Sequence, residues 1–496
     1  MRIVITRRRF ITAAGLTTVG LLVGACGGPS PAAVGPTHPL ISERERQRRR
    51  NGATPTETRL VAASGPVEIA GASLTSWAYN GSVPGPEIRL RAGDILAATL
   101  VNQLPQPTSI HWHGIAMRND MDGVPGLTQP PIESGEEFRY EFVAPHPGTY
   151  FFHPHVGVQL DRGLYAPLVV EDPQEPGDYD LEAVIVLDDW TEGIGEDPDS
   201  ILTSLTEGGM AGMDHGRMGM DGGMSSEMTE ESYGGDVTYP LYLVNGRSSE
   251  APHVVEARPG QRVRLRVINA GSDTAFRLAL GGHRLTVTHS DGFPVEPVEV
   301  DALIIGMGER YDLVTTLADG VFPLAAVAEG KGVQTFAVVK TGSGELPPSD
   351  LQVAELSRRL LTLDDLRAAA DVAFPTGEPD VIVPLELGGD MMAYRWTING
   401  RIFDEADAIE VTEGRRVRLA FSNRSSMFHP MHLHGHTFQV VRNDGAPGAR
   451  KDTLIVLPGQ DIAVDVDTDN PGAWALHCHN IYHAEAGMMT VMQYVL

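Results

Sequence analysis

One pattern, written three times, limits this chain more than any other feature. Gly93-DILAATLV-Asn102, Gly260-QRVRLRVI-Asn269 and Gly414-RRVRLAFS-Asn423 each run nine residues from Gly to Asn. Each follows an Asn-Gly pair (Asn80-Gly81, Asn245-Gly246 and Asn399-Gly400) by 12, 14 and 14 residues. Asn-Gly suits tight hairpin turns, where both central residues need positive φ. Within the copies, Leu96, Val263 and Val417, then Ala98, Leu265 and Leu419, then Leu100, Val267 and Phe421 fall on alternate positions. Such alternation marks a strand with one buried face, and the arginines between these positions in copies two and three are expected to face solvent. The repeat implies three related β-sandwich domains, over 56–172, 178–345 and 379–496. A chain of 496 residues has room for about three domains, and its 55 Gly and 35 Pro favour an all-β architecture over a helical bundle. Residues 346–378 read as a linker, helical in pattern over 351–371.

The copies part company where chemistry begins. Nine residues beyond its Asn, domain 1 reads His111-Trp-His113-Gly114 and domain 3 reads His432-Leu-His434-Gly435, while domain 2 reads Leu278-Ala-Leu280-Gly281. A second register sets Gly148-TYFF-His153-Pro154-His155 beside Gly472-AWAL-His477-Cys478-His479 and Gly320-VFPL-Ala325-Ala326-Val327. On a strand, His-x-His sends both imidazoles to one face, about 7 Å apart. Packing domain 1 against domain 3 would gather eight imidazoles at their interface. That density of neutral nitrogen ligands suits copper, zinc or iron, and copper above all.

Domain 3 adds what domain 1 lacks. It carries His429, Cys478, His483 and Met488 where domain 1 has Thr108, Pro154, Gln159 and Leu164. Two histidines, a thiolate and a weak axial thioether describe a blue-copper electron-transfer site. Alternation sends Cys478 to one strand face and its neighbours His477 and His479 to the other.

His-x-His-Gly, His-x-His, His-Pro-x-His-Leu-His and His-Cys-His-x3-His-x3-Gly-Met, in that order, resemble the motifs of the multicopper oxidases, closest to three-domain, laccase-like bacterial enzymes of copper resistance. The resemblance implies cupredoxin-like Greek-key sandwiches and four copper ions. It implies type 1 copper on His429, Cys478, His483 and Met488, and type 2 copper on His111 and His432. The type 3 pair would sit on His113, His153 and His479, and on His155, His434 and His477. It further implies four one-electron oxidations of a reductant coupled to reduction of O2 to water. Asp122, nine residues after His113, matches a carboxylate that relays protons in relatives. Some relatives place a second acid directly after the His483 position; here that residue is Ala484 and Glu485 comes one later.

The reductant is the harder question. Residues 210–228 read MAGMDHGRMGMDGGMSSEM, with Met210, Met213, Met218, Met220, Met224 and Met228 set among Gly, Ser and Asp. Thioethers are soft ligands that suit Cu(I), and irregular spacing argues against a core helix or strand. The insertion, 208–230, and Met427, two residues before His429, make Cu(I) the expected substrate. A phenol or Fe(II) oxidase shares every copper ligand and is the alternative. A non-catalytic copper-binding protein is disfavoured because all twelve ligands are present. His436 is expected to pack or support a ligand, His215 stays open, and His146, His253, His283 and His289 lie outside the ligand registers.

The N-terminus reads as an address. Thr6-Arg-Arg-Arg-Phe-Ile11 looks like a twin-arginine export signal, followed by an apolar run too short to span a bilayer. Val23-Gly-Ala-Cys26 resembles a lipobox, so Cys26 is expected to carry lipid, with plain cleavage after Ala25 as the alternative. Residues 26–55 then read as a flexible basic spacer whose arginines, 44–50, could meet anionic headgroups. The expected location is the cell envelope, membrane-anchored in a periplasm-like space. Without Cys26, Cys478 is the single thiol, so no intramolecular disulfide forms. Net charge is −27, or −31 once Arg2, Arg7, Arg8 and Arg9 leave with residues 1–25. Such a field repels nucleic acid and draws cations.

Overall fold

A computed structural model gives the fold, with residues 32–50, 52–175, 177–208, 234–442, 444 and 446–496 described. The Asn-Gly pairs turn as their chemistry demands. Asn80, Asn245 and Asn399 have φ of 53°, 51° and 54°, and each following glycine is also positive, at 76°, 73° and 74°. Each Asn Oδ1 also accepts a backbone N–H from the first strand of its domain, from Val61, Val186 and Glu386. The Asn that ends each repeat is wholly buried and makes one shared clamp. Asn102, Asn269 and Asn423 each donate Nδ2–H to two carbonyls, and each accepts an N–H two residues on. A buried amide left unsatisfied costs about 1–3 kcal/mol, which explains why this residue recurs.

Each domain is a pair of sheets. The repeat strands Ile95–Gln103, Arg262–Asn269 and Arg416–Asn423 lie inside one sheet, each parallel to the domain's first strand: Thr56–Ile69, Leu181–Trp190 and Val381–Asp390. That parallel pairing among antiparallel neighbours is the crossover of a Greek key. The alternate apolar positions predicted for these strands are all buried. The second sheet holds the histidines. In domain 1 it runs Ile88–Arg91, Ala166–Glu171, Gly148–His153 and His111–His113, with His111 opposite His153. In domain 3 Ala473–Cys478 lies beside His429–Leu433, with His432 opposite His477 and Met431 opposite Cys478. Domain 2 places Leu278 opposite Ala326, one residue beyond the counterpart of His477, and packs both into an apolar core.

Three expectations fail, each for a long-range reason. Residues within 26–55 do not form a featureless spacer. Pro39–Arg48 is a helix, and Ile41 and Glu45 on it are buried. Arg48 donates to Ala116 O at 2.9 Å and to Asn470 Oδ1 at 3.0 Å, so the helix straps domain 1 to domain 3. Arg49 pairs with Glu141 at 2.8 Å, and Arg44 pairs with Glu413. The linker is not a helix either: it holds two short 3-10 turns, Ala354–Ser357 and Leu363–Asp365, and lies against domains 2 and 3 through backbone bonds such as Leu361 N to Ala302 O. Finally, Arg264 and Arg266 are buried rather than solvated, because that face of domain 2 meets domain 1. Arg264 pairs with Asp312, and Arg266 donates to Thr149 Oγ1 of domain 1.

Candidate metal centre

Strand pairing brings the eight paired histidines into one buried chamber between domains 1 and 3. Nε2 of His111 faces Nε2 of His432 at 3.4 Å, and Nε2 of His477 faces that of His434 at 2.9 Å and that of His155 at 3.4 Å. The opposite nitrogens are held from behind. His111 Nδ1–H donates to Asp122 O and His432 Nδ1–H to Asp452 O, both at 2.9 Å. His434 Nδ1–H donates to Asp122 Oδ2 at 2.9 Å and His477 Nδ1–H to Cys478 O at 2.8 Å. Each backing bond fixes a tautomer that leaves Nε2 with its lone pair directed inward.

His113, His153 and His479 form the remaining corner. Their ring centroids lie 4.9 to 5.9 Å apart. Nδ1 of His113, Nε2 of His153 and both ring nitrogens of His479 are buried without a hydrogen-bond partner. Burial, reinforced by neighbouring imidazoles, holds His113, His153, His155, His434 and His479 well below the usual histidine pKa, and His477 near 3. The result is a cage of neutral lone pairs facing one another. Lone pairs in that arrangement repel unless a cation lies among them, so the residues fit copper.

The second constellation sits on the far face of Cys478. Nδ1 of His429 and Nδ1 of His483 lie 3.1 Å apart, and Sγ of Cys478 is 3.6 Å from each. Met488 is buried and tied in by its backbone: its N–H donates to His483 O and its carbonyl accepts from Cys478 N. Burial pushes the Cys478 thiol well up, so a metal must displace its proton. Behind the ligand nitrogens, His429 Nε2–H donates to Ser425 Oγ at 2.7 Å and His483 Nε2–H to Asp236 Oδ2 at 2.8 Å. Trp396 lies over His483 at 4.1 Å between centroids. In domain 1, Thr108 Oγ1–H donates to Gln159 Oε1 at 2.7 Å, so a neutral hydrogen bond stands where domain 3 has two imidazoles.

The structure thus brings together all eight paired histidines, the cysteine, His429, His483 and Met488. Asp122 is wholly buried and touches both His111 and His434. Glu485 is exposed and lines a cavity of about 30 Å³ that reaches His153, His155, His477 and His479. That volume holds a water molecule or a diatomic gas. Met427 is 8% exposed, on the His429 side. Cys26 and Met210, Met213, Met218, Met220, Met224 and Met228 lie outside the described residues. Sequence reasoning missed Asp236, Asp452 and Ser425. No motif marks the first, which comes from domain 2; an acid opening the apolar run Thr453–Val456 hints at the second.

A thiolate–imidazole site joined through one strand to an eight-imidazole chamber defines a copper-dependent oxidoreductase. Multicopper oxidase family patterns match residues 62–175, 182–343 and 377–495. The chain is 46% identical over 491 residues to the multicopper oxidase MmcO of Mycobacterium tuberculosis, covering 99% of this chain and 97% of that protein. It is 29% identical to copper resistance protein A of Pseudomonas syringae pv. tomato, covering 97% of this chain and 98% of that one. Among solved structures, a multi-copper oxidase from Pseudomonas thermotolerans aligns with TM-score 0.68 at 28% identity, covering 90% of this chain and all of its own. The laccase of Botrytis aclada aligns with TM-score 0.74 at 25% identity over 92% and 90% of the two chains. The chain belongs to the multicopper oxidase family and is an enzyme of that class.

Proposed function

We propose that this enzyme is an exported cuprous oxidase that turns Cu(I) into Cu(II) at the expense of O2, using four copper ions. His429, Cys478 and His483, with Met488 as axial thioether, would hold type 1 copper, and His111 with His432 type 2. His113, His153 and His479, and His155, His434 and His477, would hold the type 3 pair. Bound copper supplies one-electron transfer and the four-electron reduction of O2 to water. The protein's own residues do the rest. Cys478 gives one covalent route from the type 1 ligands to His477 and His479. Asp122, bonded to His111 and His434, is placed to carry protons inward, and Glu485 lines the cavity that leads to the chamber.

One observation carries the choice of Cu(I). Asp236 follows Met228 by eight residues and accepts the Nε2–H of His483. The described chain therefore resumes, at residue 234, on the edge of the electron-accepting site. The printed name of the Pseudomonas syringae relative, a copper resistance protein, supports the same reading. Deleting 208–230 should cut Cu(I) oxidation far more than oxidation of an organic dye. Equal loss, or none, would overturn the reading and favour a phenol or Fe(II) as donor.

The export signal and Cys26 complete the proposal: the enzyme works in the cell envelope on a lipid anchor. Among the described residues no helix is long and apolar enough to cross a membrane. Cys26→Ala should move the protein from the membrane fraction to the soluble one; unchanged partition would refute the anchor.

A further inference from the structure

Domain 2 offers no histidine to the chamber, yet it forms part of the chamber wall. Gly308 has φ of 81°, and a Cβ there would lie 2.9 Å from His113 Cε1 and 2.9 Å from His479 Cδ2. Two residues on, Arg310 is wholly buried and touches all three domains. It donates to Thr149 O of domain 1 and Gly308 O of domain 2, both at 3.0 Å, and forks onto Asp452 of domain 3 with two bonds of 2.6 Å. Asp452 is held at its backbone as well. Asp291 of domain 2 accepts the N–H of Asp452 at 3.2 Å and of Thr453 at 3.1 Å, and Lys451 pairs with both Asp291 and Glu309 at 3.1 Å.

What Asp452 does with this fixed position concerns two histidines. Its Oδ1 accepts from Nε2–H of His113 at 3.2 Å, while its carbonyl accepts from Nδ1–H of His432 at 2.9 Å. The two rings therefore turn opposite nitrogens toward the chamber. His113 is left with Nδ1, which is buried and unpartnered, and His432 with Nε2, which faces His111. Thr453 Oγ1 lies 3.1 Å from the same two nitrogens and donates to Asp452 Oδ1 at 2.9 Å, so Asp452 sets both choices together with its neighbour.

We propose that Arg310 is a positioning residue for the copper cluster: by clamping Asp452 it fixes which ring nitrogen His113 and His432 present. Arginine suits the task because its planar fork holds both carboxylate oxygens, which a lysine cannot do. The clamp also explains Gly114, the glycine of the first His-x-His-Gly. Its φ is 85°, and a Cβ there would fall 2.4 Å from Arg310 Nη2 and 2.6 Å from Asp452 Oδ2. The type 1 site lies outside the clamp: neither Arg310 nor Asp452 bonds to His429, Cys478 or His483.

The proposal rests on His113 and His432 being copper ligands, and the full-length copper-loaded enzyme separates the two ideas. Copper affinity of each site is read by chelator competition, with blue absorption reporting type 1 and electron paramagnetic resonance reporting the nitrogen coupling of type 2. Arg310→Met should weaken the cluster about 10- to 100-fold, the usual effect of losing a ligand's supporting partner, while leaving the blue absorption unchanged. Adding Asp452→Asn removes the unpaired buried charge but keeps an acceptor for His113, so the double variant should recover most of the affinity. Arg310→Lys keeps the charge without the fork, and should alter the type 2 nitrogen coupling even if Arg310→Met fails to fold. Parallel loss at both sites, no rescue by Asp452→Asn, or an unaltered Arg310→Lys spectrum would each overturn the clamp. A wild-type enzyme that binds no copper at the cluster would instead overturn the ligand assignment.

Discussion

Arg48 on the N-terminal helix gives a measurable test of how the two histidine-bearing domains are held together. Its two bonds reach Ala116 O and Asn470 Oδ1, and Asn470 in turn donates to Met117 O and Gly435 O. The strap therefore grips the segments that follow both His-x-His-Gly motifs. Hydrogen bonds from a charged donor contribute about 1.5–3 kcal/mol each. Both acceptors are neutral, and desolvation depresses the Arg48 pKa, so the lower end applies to each bond. Arg48→Ala should then destabilise the docked helix by about 3 kcal/mol, and since 1.4 kcal/mol is tenfold, its opening should become about 100-fold more frequent. Native-state hydrogen exchange reads this directly at the amides that follow Pro39 in the helix and at Arg49 N–H, which is bonded to Glu45 O. The amides of Arg416–Asn423 should exchange as before. Helix exchange that accelerates by less than about threefold would refute the reasoning, because the strap would then be held by something other than these bonds.

Other outcomes follow from the same geometry. Cys478→Ser should abolish the blue absorption while copper remains bound by the paired histidines, as measured by metal content and optical spectra. Asp122→Asn should slow turnover about 100-fold with the KM for reductant unchanged and the blue absorption intact. For Asp312, burial acts to raise the carboxyl, but Arg264, then Arg266 and His289, hold it well below the usual carboxylate range. Its contribution is therefore full above the unfolded pKa of about 3.9 and is lost as pH falls. In urea titrations Asp312→Asn should be less stable at neutral pH but lose less stability on acidification; parallel curves would exclude this role.

The sequence made the repeats legible because turn and strand chemistry are local. Asn-Gly dictates a positive φ wherever it falls, and alternation at Leu96, Val263 and Val417 needs no distant partner. The histidines were legible for a different reason: comparison among the three copies turned identical strands into an experiment with Leu278 and Leu280 as the control. What stayed hidden depends on partners far along the chain. Arg48 meets Asn470 across 422 positions, and Asp236 meets His483 across 247. Arg264 looked solvated because alternation says which face of a strand points away from its own core, not whether another domain covers that face. The 351–371 stretch failed likewise, its apolar residues serving contacts with two domains rather than one face of a helix.

The hydrogen bond between Thr108 and Gln159 has a consequence for traffic. Two sandwich domains flank the chamber, but only one has a terminal; in the other, a threonine and a glutamine have sealed the socket. Under the proposed function, charge would arrive in single file through one sulfur atom, four times for each O2. The molecule then behaves as a turnstile, whose one gate stands on the side where His483 leans on Asp236.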